Sequence, residues 1–217
     1  MTAIAWDAVG ERRYETGIDR GVLYLPDGQA VPWNGLTEVT ETTPNEVKSY
    51  YLDGIKYLDK RIPSAYSAKL RAITYPDELD ELTGNREFSP GVFLHDQRSK
   101  LFNLSYRTLI GNDLQGIDYG YKIHVVWNVL AVQSDYTYKS LSDNVGVDTF
   151  EWELRATPNL MFGIRPTAHI SFDSRRMRSA DLATLELTLY GSALFNPDLP
   201  NIVDLLGMFD PVEVGAT

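Results

Sequence analysis

The segment from Tyr121 to Gln133 constrains the fold more than any other. Tyr121, Ile123, Val125, Trp127, Val129 and Ala131 alternate with Lys122, His124, Val126, Asn128, Leu130 and Val132. Period two over this length specifies a strand with one apolar face, because a helix would repeat every 3.6 residues. The second face turns from polar to apolar along its length, so the strand is expected to leave an exposed region and enter a covered one. At about 3.3 Å per residue it spans roughly 40 Å. The alternation recurs in Phe102, Leu104 and Tyr106, in Phe150, Trp152 and Leu154 against Glu151, Glu153 and Arg155, and in Ile170 with Phe172. Such a chain folds around a sheet.

Turn chemistry divides the first half into hairpins. Asp27-Gly28, Asn34-Gly35 and Asp53-Gly54 tolerate positive φ, and short strand-like segments such as Val22 to Leu25 and Lys48 to Leu52 flank them. Between Pro76 and Lys100 the alternation stops. Pro76, Asp77, Glu78, Asp80, Glu81, Gly84, Pro90 and Gly91 form a long polar excursion with one helical turn after Pro76. Towards the end the period changes: Ser179 caps a helix that places Leu182, Leu185, Leu189 and Tyr190 on one face and stops at Gly191. Leu185, Leu187 and Leu189 also fit a strand; helix is the reading adopted. Beyond Pro197 and Pro200, the residues Ile202, Val203, Leu205, Leu206 and Phe209 have helical spacing over about two turns. So short a helix must dock on its own domain or on a neighbour. No repeat or linker divides the chain, so residues 1–217 are expected to form one domain.

Composition narrows the function. The 217 residues carry 30 acidic against 20 basic side chains, a formal net charge of -10, and no cysteine. Disulfides, thiolate nucleophiles and cysteine metal sites are excluded. The acidic balance opposes tight nucleic-acid binding, which relies on Lys and Arg displacing counterions. It permits, without requiring, a wall past which DNA slides. No apolar run is long enough to span a membrane, and Met1 to Asp7 lack a secretion signal, so neither anchoring nor conventional secretion is expected.

Motifs for chemistry are missing. Neither a dinucleotide or phosphate loop nor a nucleophile elbow is present. His95, His124 and His169 have no partner at helical ligand spacing, so no metal role is expected. Asp77, Glu78, Asp80 and Glu81 lack the ligand order of a calcium loop. Glu151 and Glu153, about 7 Å apart on one strand face, meet the spacing of a glycosidase pair. Alternating glutamates on an exposed sheet face are the commoner arrangement. The 13 Tyr, 4 Trp and 8 Phe suit a sheet core and large subunit contacts better than sugar binding. No enzyme activity and no cofactor are expected.

Several blocks carry a family resemblance: Trp6-Asp7-Ala8-Val9-Gly10-Glu11-Arg12, the run from Tyr14 to Tyr24, and Val31-Pro32-Trp33-Asn34-Gly35-Leu36. Tyr50-Tyr51-Leu52-Asp53-Gly54, Ile73-Thr74-Tyr75-Pro76-Asp77-Glu78, Leu104-Ser105-Tyr106-Arg107-Thr108, Gly111-Asn112-Asp113 and Gly120-Tyr121-Lys122-Ile123-His124 continue them. Together they resemble the major tail protein, or tail tube protein, of long non-contractile-tailed bacteriophages, in the version found in phages of actinobacteria. The resemblance runs from about Trp6 to Phe209. It implies a mainly β (α+β) fold, a β-sandwich or small barrel with a flanking C-terminal helix. Six copies would close into a ring, and rings would stack into a hollow virion tail tube, assembled in the host cytoplasm, that conducts DNA during ejection.

Partners implied are further copies of the chain, a tape-measure protein, tail terminator and distal tail proteins, and DNA in transit. The inter-ring loop is expected in 76–100, with Asp77, Glu78, Asp80, Glu81, Phe88 and Phe93 as contacts. Terminal arms are expected at about 1–6 and 197–217, with Ile202, Leu205, Leu206 and Phe209 as docking residues. Glu151 and Glu153 are placed on a lumen-facing or otherwise exposed strand face. Two alternatives remain: a distal tail or hub protein that caps the tube, and a carbohydrate-binding module of the host-recognition apparatus.

Overall fold

The computed structural model describes residues 4, 6–42, 47–61, 65–138, 140, 148–159 and 165–209, with the side chain of residue 61 left aside. Twelve strands and three helices follow one another in these segments. β1 (Arg13–Tyr24), β2 (Ala30–Trp33) and β3 (Leu36–Thr42) come first, then β4 (Val47–Leu52), β5 (Ile55–Arg61) and β6 (Ser67–Ala72). Helix α1 (Glu78–Thr83), β7 (Arg86–Ser89) and β8 (Val92–Leu94) lead into the long strands β9 (Phe102–Asn112) and β10 (Gly116–Gln133). β11 (Phe150–Ala156), β12 (His169–Asp173), α2 (Ser179–Tyr190) and α3 (Ile202–Leu206) complete the chain.

The fold is mainly β. Eight strands form one antiparallel sheet in the order β2-β1-β9-β10-β11-β6-β3, and β12 also pairs with β10. Two cores use its two faces. Leu23, Trp33, Leu70, Leu104, Tyr106, Trp152 and Leu154 fill the concave side, where Leu79 and Leu82 of α1 join them. On the other side Ile123, Val125, Trp127 and Phe172 meet Leu185 and Leu189 of α2 and Ile202 and Leu205 of α3. Edge-to-face rings lock the first core: Trp33 and Tyr75 lie 5.4 and 5.2 Å from Trp152. Each such pair contributes about 0.5–1.5 kcal/mol beyond its buried area.

β10 departs from the expected single apolar face. Ile123, Val125 and Trp127 enter the helix-side core, whereas Val126, Val129 and Ala131 enter the other. The cause is a bulge: the register with β9 shifts between Val126 and Val129, and Asn128 takes φ 52°. One extra residue reverses which side chains point to which face. The polar-to-apolar drift of the second face is explained by this switch, and its last apolar member, Val132, is exposed. The bulge also divides the strand's far edge, with β12 pairing from Lys122 to Val126 and β11 from Val129 to Gln133.

Two of the three expected hairpins form. Asp27-Gly28 joins β1 to β2, and Asp53-Gly54, at φ 49° and 77°, joins β4 to β5. Asn34-Gly35 instead carries the chain from β2 at one sheet edge to β3 at the other, because β3 finds its partner in β6. Ile73 N donates to Gly35 O (2.8 Å) and Trp33 Nε1 to Thr74 O (3.1 Å), which fixes the corner. Gly21 lets β1 pass this corner: a Cβ there would lie 2.4 Å from Leu36 Cδ1 and 3.0 Å from Trp33 O. The sheet curls until its edges approach, but it does not close into a barrel.

The excursion after Pro76 is more ordered than its composition suggests. Its helix α1 plugs the concave core through Leu79 and Leu82, and Pro90-Gly91 turns a further hairpin, β7 to β8. Helix α2 matches expectation, although Arg178 rather than Ser179 occupies the cap position, and Gly191 ends it at φ 69°.

Candidate functional site

Three surfaces hold the residues that sequence patterning singles out, and a fourth surface and an interior cluster emerge from the structure. On the outer face of β6 and β11, Glu151 accepts from Arg71 Nε (2.6 Å) and pairs with Lys69 (3.4 Å), while Arg71 also reaches Glu38 (3.1 Å). The Arg71 hydrogen bond holds the Glu151 carboxyl below its ordinary value. Glu153 pairs along its own strand with Arg155 (2.9 Å). Phe150, Trp152 and Leu154 point the opposite way, into the concave core. The two glutamates thus sit in a mosaic of both charge signs.

At α1, Asp77 and Glu81 are exposed and Glu78 and Asp80 partly so. Acidic groups in a first turn complement the helix dipole. Glu81 bonds Lys100 (2.6 Å) and Asp80 accepts from Asn85 (3.1 Å), so part of the cluster secures the loop to the body. Phe88 and Phe93, on the β7–β8 hairpin, stand in solvent. A cleft of about 810 Å³ runs beside Asp77, Glu78, Glu87 and Phe93.

The C-terminal residues dock on their own domain. Ile202 and Leu205 are buried, Leu206 packs beside them, and Phe209 lies 5.6 Å from Phe172. Asn201 caps α3 by accepting from Val203 N and Asp204 N, and Trp127 Nε1 donates to Pro200 O (3.1 Å). Residues 210–217 of the expected C-terminal arm, and 1–3 and 5 of the N-terminal one, lie outside the described residues. Ile4 and Trp6 are exposed.

A surface absent from the expected contact residues is the β4–β5 hairpin. These strands pair only with each other among the described residues, and every side chain from Val47 to Lys60 is exposed. Tyr50 lies opposite Leu58 and Leu52 opposite Ile55, an apolar stripe on one face. Residues 47–61 hold four basic groups against two acidic ones, a local reversal of the chain's charge. The available signal was the density of apolar residues on both flanks of the turn; their lack of cover is a tertiary fact.

Inside the mouth of the curled sheet, Glu41 of β3, His124 of β10 and His169 of β12 converge with Tyr66 and Tyr106. The Tyr106 hydroxyl donates to Glu41 Oε1 (2.6 Å), Tyr66 and Tyr106 hydroxyls lie 3.1 Å apart, and Thr108 Oγ1 is 3.0 Å from His124 Nε2. Burial pushes His124 down to about 4, against the opposing pull of Glu41, and lowers His169 as well. Burial raises both tyrosines, which stay phenols. Sequence spacing concealed this group because its members lie on three separate strands.

No protein-family model and no curated protein matches the chain. Among solved structures, it is similar to a chain of the PVC sheath-tube complex of an extracellular contractile injection system in the extended state. The identity is 12%, the match covers 71% of this chain and 88% of that one, and the TM-score is 0.38. It is also similar to a chain of the sheath/tube terminator of the same kind of system, at 14% identity over 73% and 97% of the two chains with a TM-score of 0.37. A chain of the anti-feeding prophage baseplate gives 13% identity over 78% and 97%, with a TM-score of 0.31. Similarity at this level does not carry a function across.

Proposed function

We propose that the chain is a non-catalytic structural subunit of a phage-type tail tube, one of six copies in a ring that stacks on further rings. The observation that carries this reading is the uncovered β4–β5 hairpin. An isolated two-stranded hairpin is marginal in water, and exposed apolar surface of this extent marks a contact with another chain. Tyr50, Leu52, Ile55 and Leu58 have the composition of such a contact, and a second copy supplies the complement. The hairpin's lysines are opposite in sign to the acidic rim of α1, where Asp77, Glu78 and Glu81 flank Phe93.

In this reading the hairpin and the excursion 76–100 share the ring-to-ring contact, and head-to-tail repetition extends it into a filament. The block resemblance to tail tube proteins supports the same conclusion. The tube would enclose the tape-measure protein, end at terminator and distal tail proteins within the virion tail, and conduct DNA without binding it. A net charge of -10 disfavours adhesion of the duplex. Glu151 and Glu153 lie on a face free to line such a conduit or to coat its exterior.

The test is negative-stain electron microscopy of the purified protein across a concentration series, with the mass measured in solution. Long hollow tubes with a regular axial repeat are expected. Closed rings that never stack would replace the tube with a distal hub, and monomers at every concentration would refute self-assembly.

A further inference from the structure

The interior cluster has the geometry of an ion site. Glu41, His124 and His169 present one ligand atom each: His124 Nδ1 lies 3.1 Å from His169 Nε2 and 3.4 Å from Glu41 Oε1, and His169 Nε2 lies 3.8 Å from Glu41 Oε1. A triangle with these sides has a circumradius of about 2.0 Å, so one point lies at zinc-to-ligand distance from all three atoms. Three atoms on a tetrahedral zinc shell would stand about 3.3 Å apart, the middle of the observed range.

The surroundings suit a bound cation. Thr108 holds the far nitrogen of His124, and Tyr106 bonds the same Glu41 oxygen that faces the histidines, as outer partners do for metal ligands. Tyr106 stacks on His124 at 4.8 Å and 4°, and the Tyr66 ring lies 4.7 Å from His169, which restricts both rings. Glu41 is the more open member, with 36% of its side chain accessible, and leaves a path for an ion and a water.

We propose that Glu41, His124 and His169 bind one divalent transition-metal ion of the zinc class, with a water as fourth ligand. Two nitrogens and one carboxylate oxygen favour zinc over calcium or magnesium, which prefer oxygen shells. The ion would tie β3, at the sheet's end, to β10 and β12 at its middle. This site does not depend on ring assembly.

The test uses tag-free, metal-stripped full-length protein titrated with Zn²⁺ against a chromophoric chelator. One equivalent is expected to bind per chain, and Co²⁺ in its place is expected to give the intense visible bands of a tetrahedral site. Separately, His169→Ala and Glu41→Gln are each expected to weaken binding by about 100-fold or more. Histidine ¹⁵N spectra of the unsubstituted protein provide a check that does not depend on a variant folding: His124 and His169 should shift together at one equivalent while His95 does not. Failure to bind at about 10 µM Zn²⁺ overturns the proposal. Undiminished binding by both variants, or a response confined to His95, overturns it equally.

Discussion

Strand β11 and strand β4 are both short, antiparallel and rich in aromatic residues, yet one is clamped in place and the other is bare. β11 puts Phe150, Trp152 and Leu154 on the concave core and its glutamates among Arg71, Lys69 and Arg155. Among the described residues β4 pairs with β5 alone, and its side chains are exposed along its whole length. Alternation creates an apolar face; only a second layer makes that face a core. The body's stability is therefore internal, whereas the hairpin, in the proposed assembly, would gain its cover from another copy.

The comparison breaks hardest at Trp152. This side chain is 1% exposed and touches Trp33, Tyr75 and Phe150. Trp152→Ala is expected to cost about 3–5 kcal/mol, read as a lowered denaturant midpoint with the slope unchanged. At about 2–4 °C per kcal/mol for a chain this size, the melting temperature falls by roughly 6–20 °C. A loss below about 1 kcal/mol would mean that the rings are not locked as described.

Gly21→Ala tests the corner that brings the sheet's edges together. The added methyl meets Leu36 Cδ1, which can move, and Trp33 O, which is held by its strand. Overpacking of this kind costs about 1–3 kcal/mol. Thermal unfolding of the variant is the measurement, and an unchanged melting temperature would show that the corner yields.

Much of the body is legible in the sequence because its signals are local. Period two locates β9, β10, β11 and β12, Gly191 stops α2, and Asp53-Gly54 closes a hairpin. Signals fail where a distant contact decides. Nothing near Asn128 announces the bulge that turns Val129 and Ala131 into the concave core, since its backbone N–H bonds Asn103 Oδ1 on β9. Asn34-Gly35 reads as a hairpin until β6 captures β3. Leu79 and Leu82 lie hidden among acidic neighbours, so α1 reads as one helical turn of a polar excursion although it closes a core. Among the candidate sites, Ile202, Leu205, Leu206 and Phe209 follow from helical spacing, and the outward direction of Glu151 and Glu153 from their neighbours. The convergence of Glu41 with His124 and His169 follows only from the pairing of β10 with β12 and the curl that brings β3 across.

A smaller effect is expected at the junction between the body and the C-terminal segment. Asn201 satisfies two backbone donors of α3, and its replacement by Ala is expected to cost about 1 kcal/mol. Because Leu205 and Phe209 hold the same segment to the sheet, hydrogen exchange in 202–206 should speed up before the whole domain loosens. Exchange that rises uniformly across the chain would place α3 inside the cooperative body.

The smallest effect on the isolated subunit is expected in the hairpin, and there the contrast is sharpest. Tyr50→Ser with Leu58→Ser removes an opposed pair from the apolar stripe. Both side chains already face water, so the change should stay within about 0.5 kcal/mol for the free subunit. Assembly should respond in the opposite way, because the same pair would lie at the centre of a covered contact, where truncation costs most. Sedimentation of the doubly substituted protein, at concentrations where the unsubstituted chain forms large particles, should find only free subunits or single rings. A double variant that unfolds early would mean that the hairpin leans on the body after all. One that still forms long particles would move the stacking surface to α1 and the β7–β8 hairpin, where Phe88 and Phe93 become the next residues to replace.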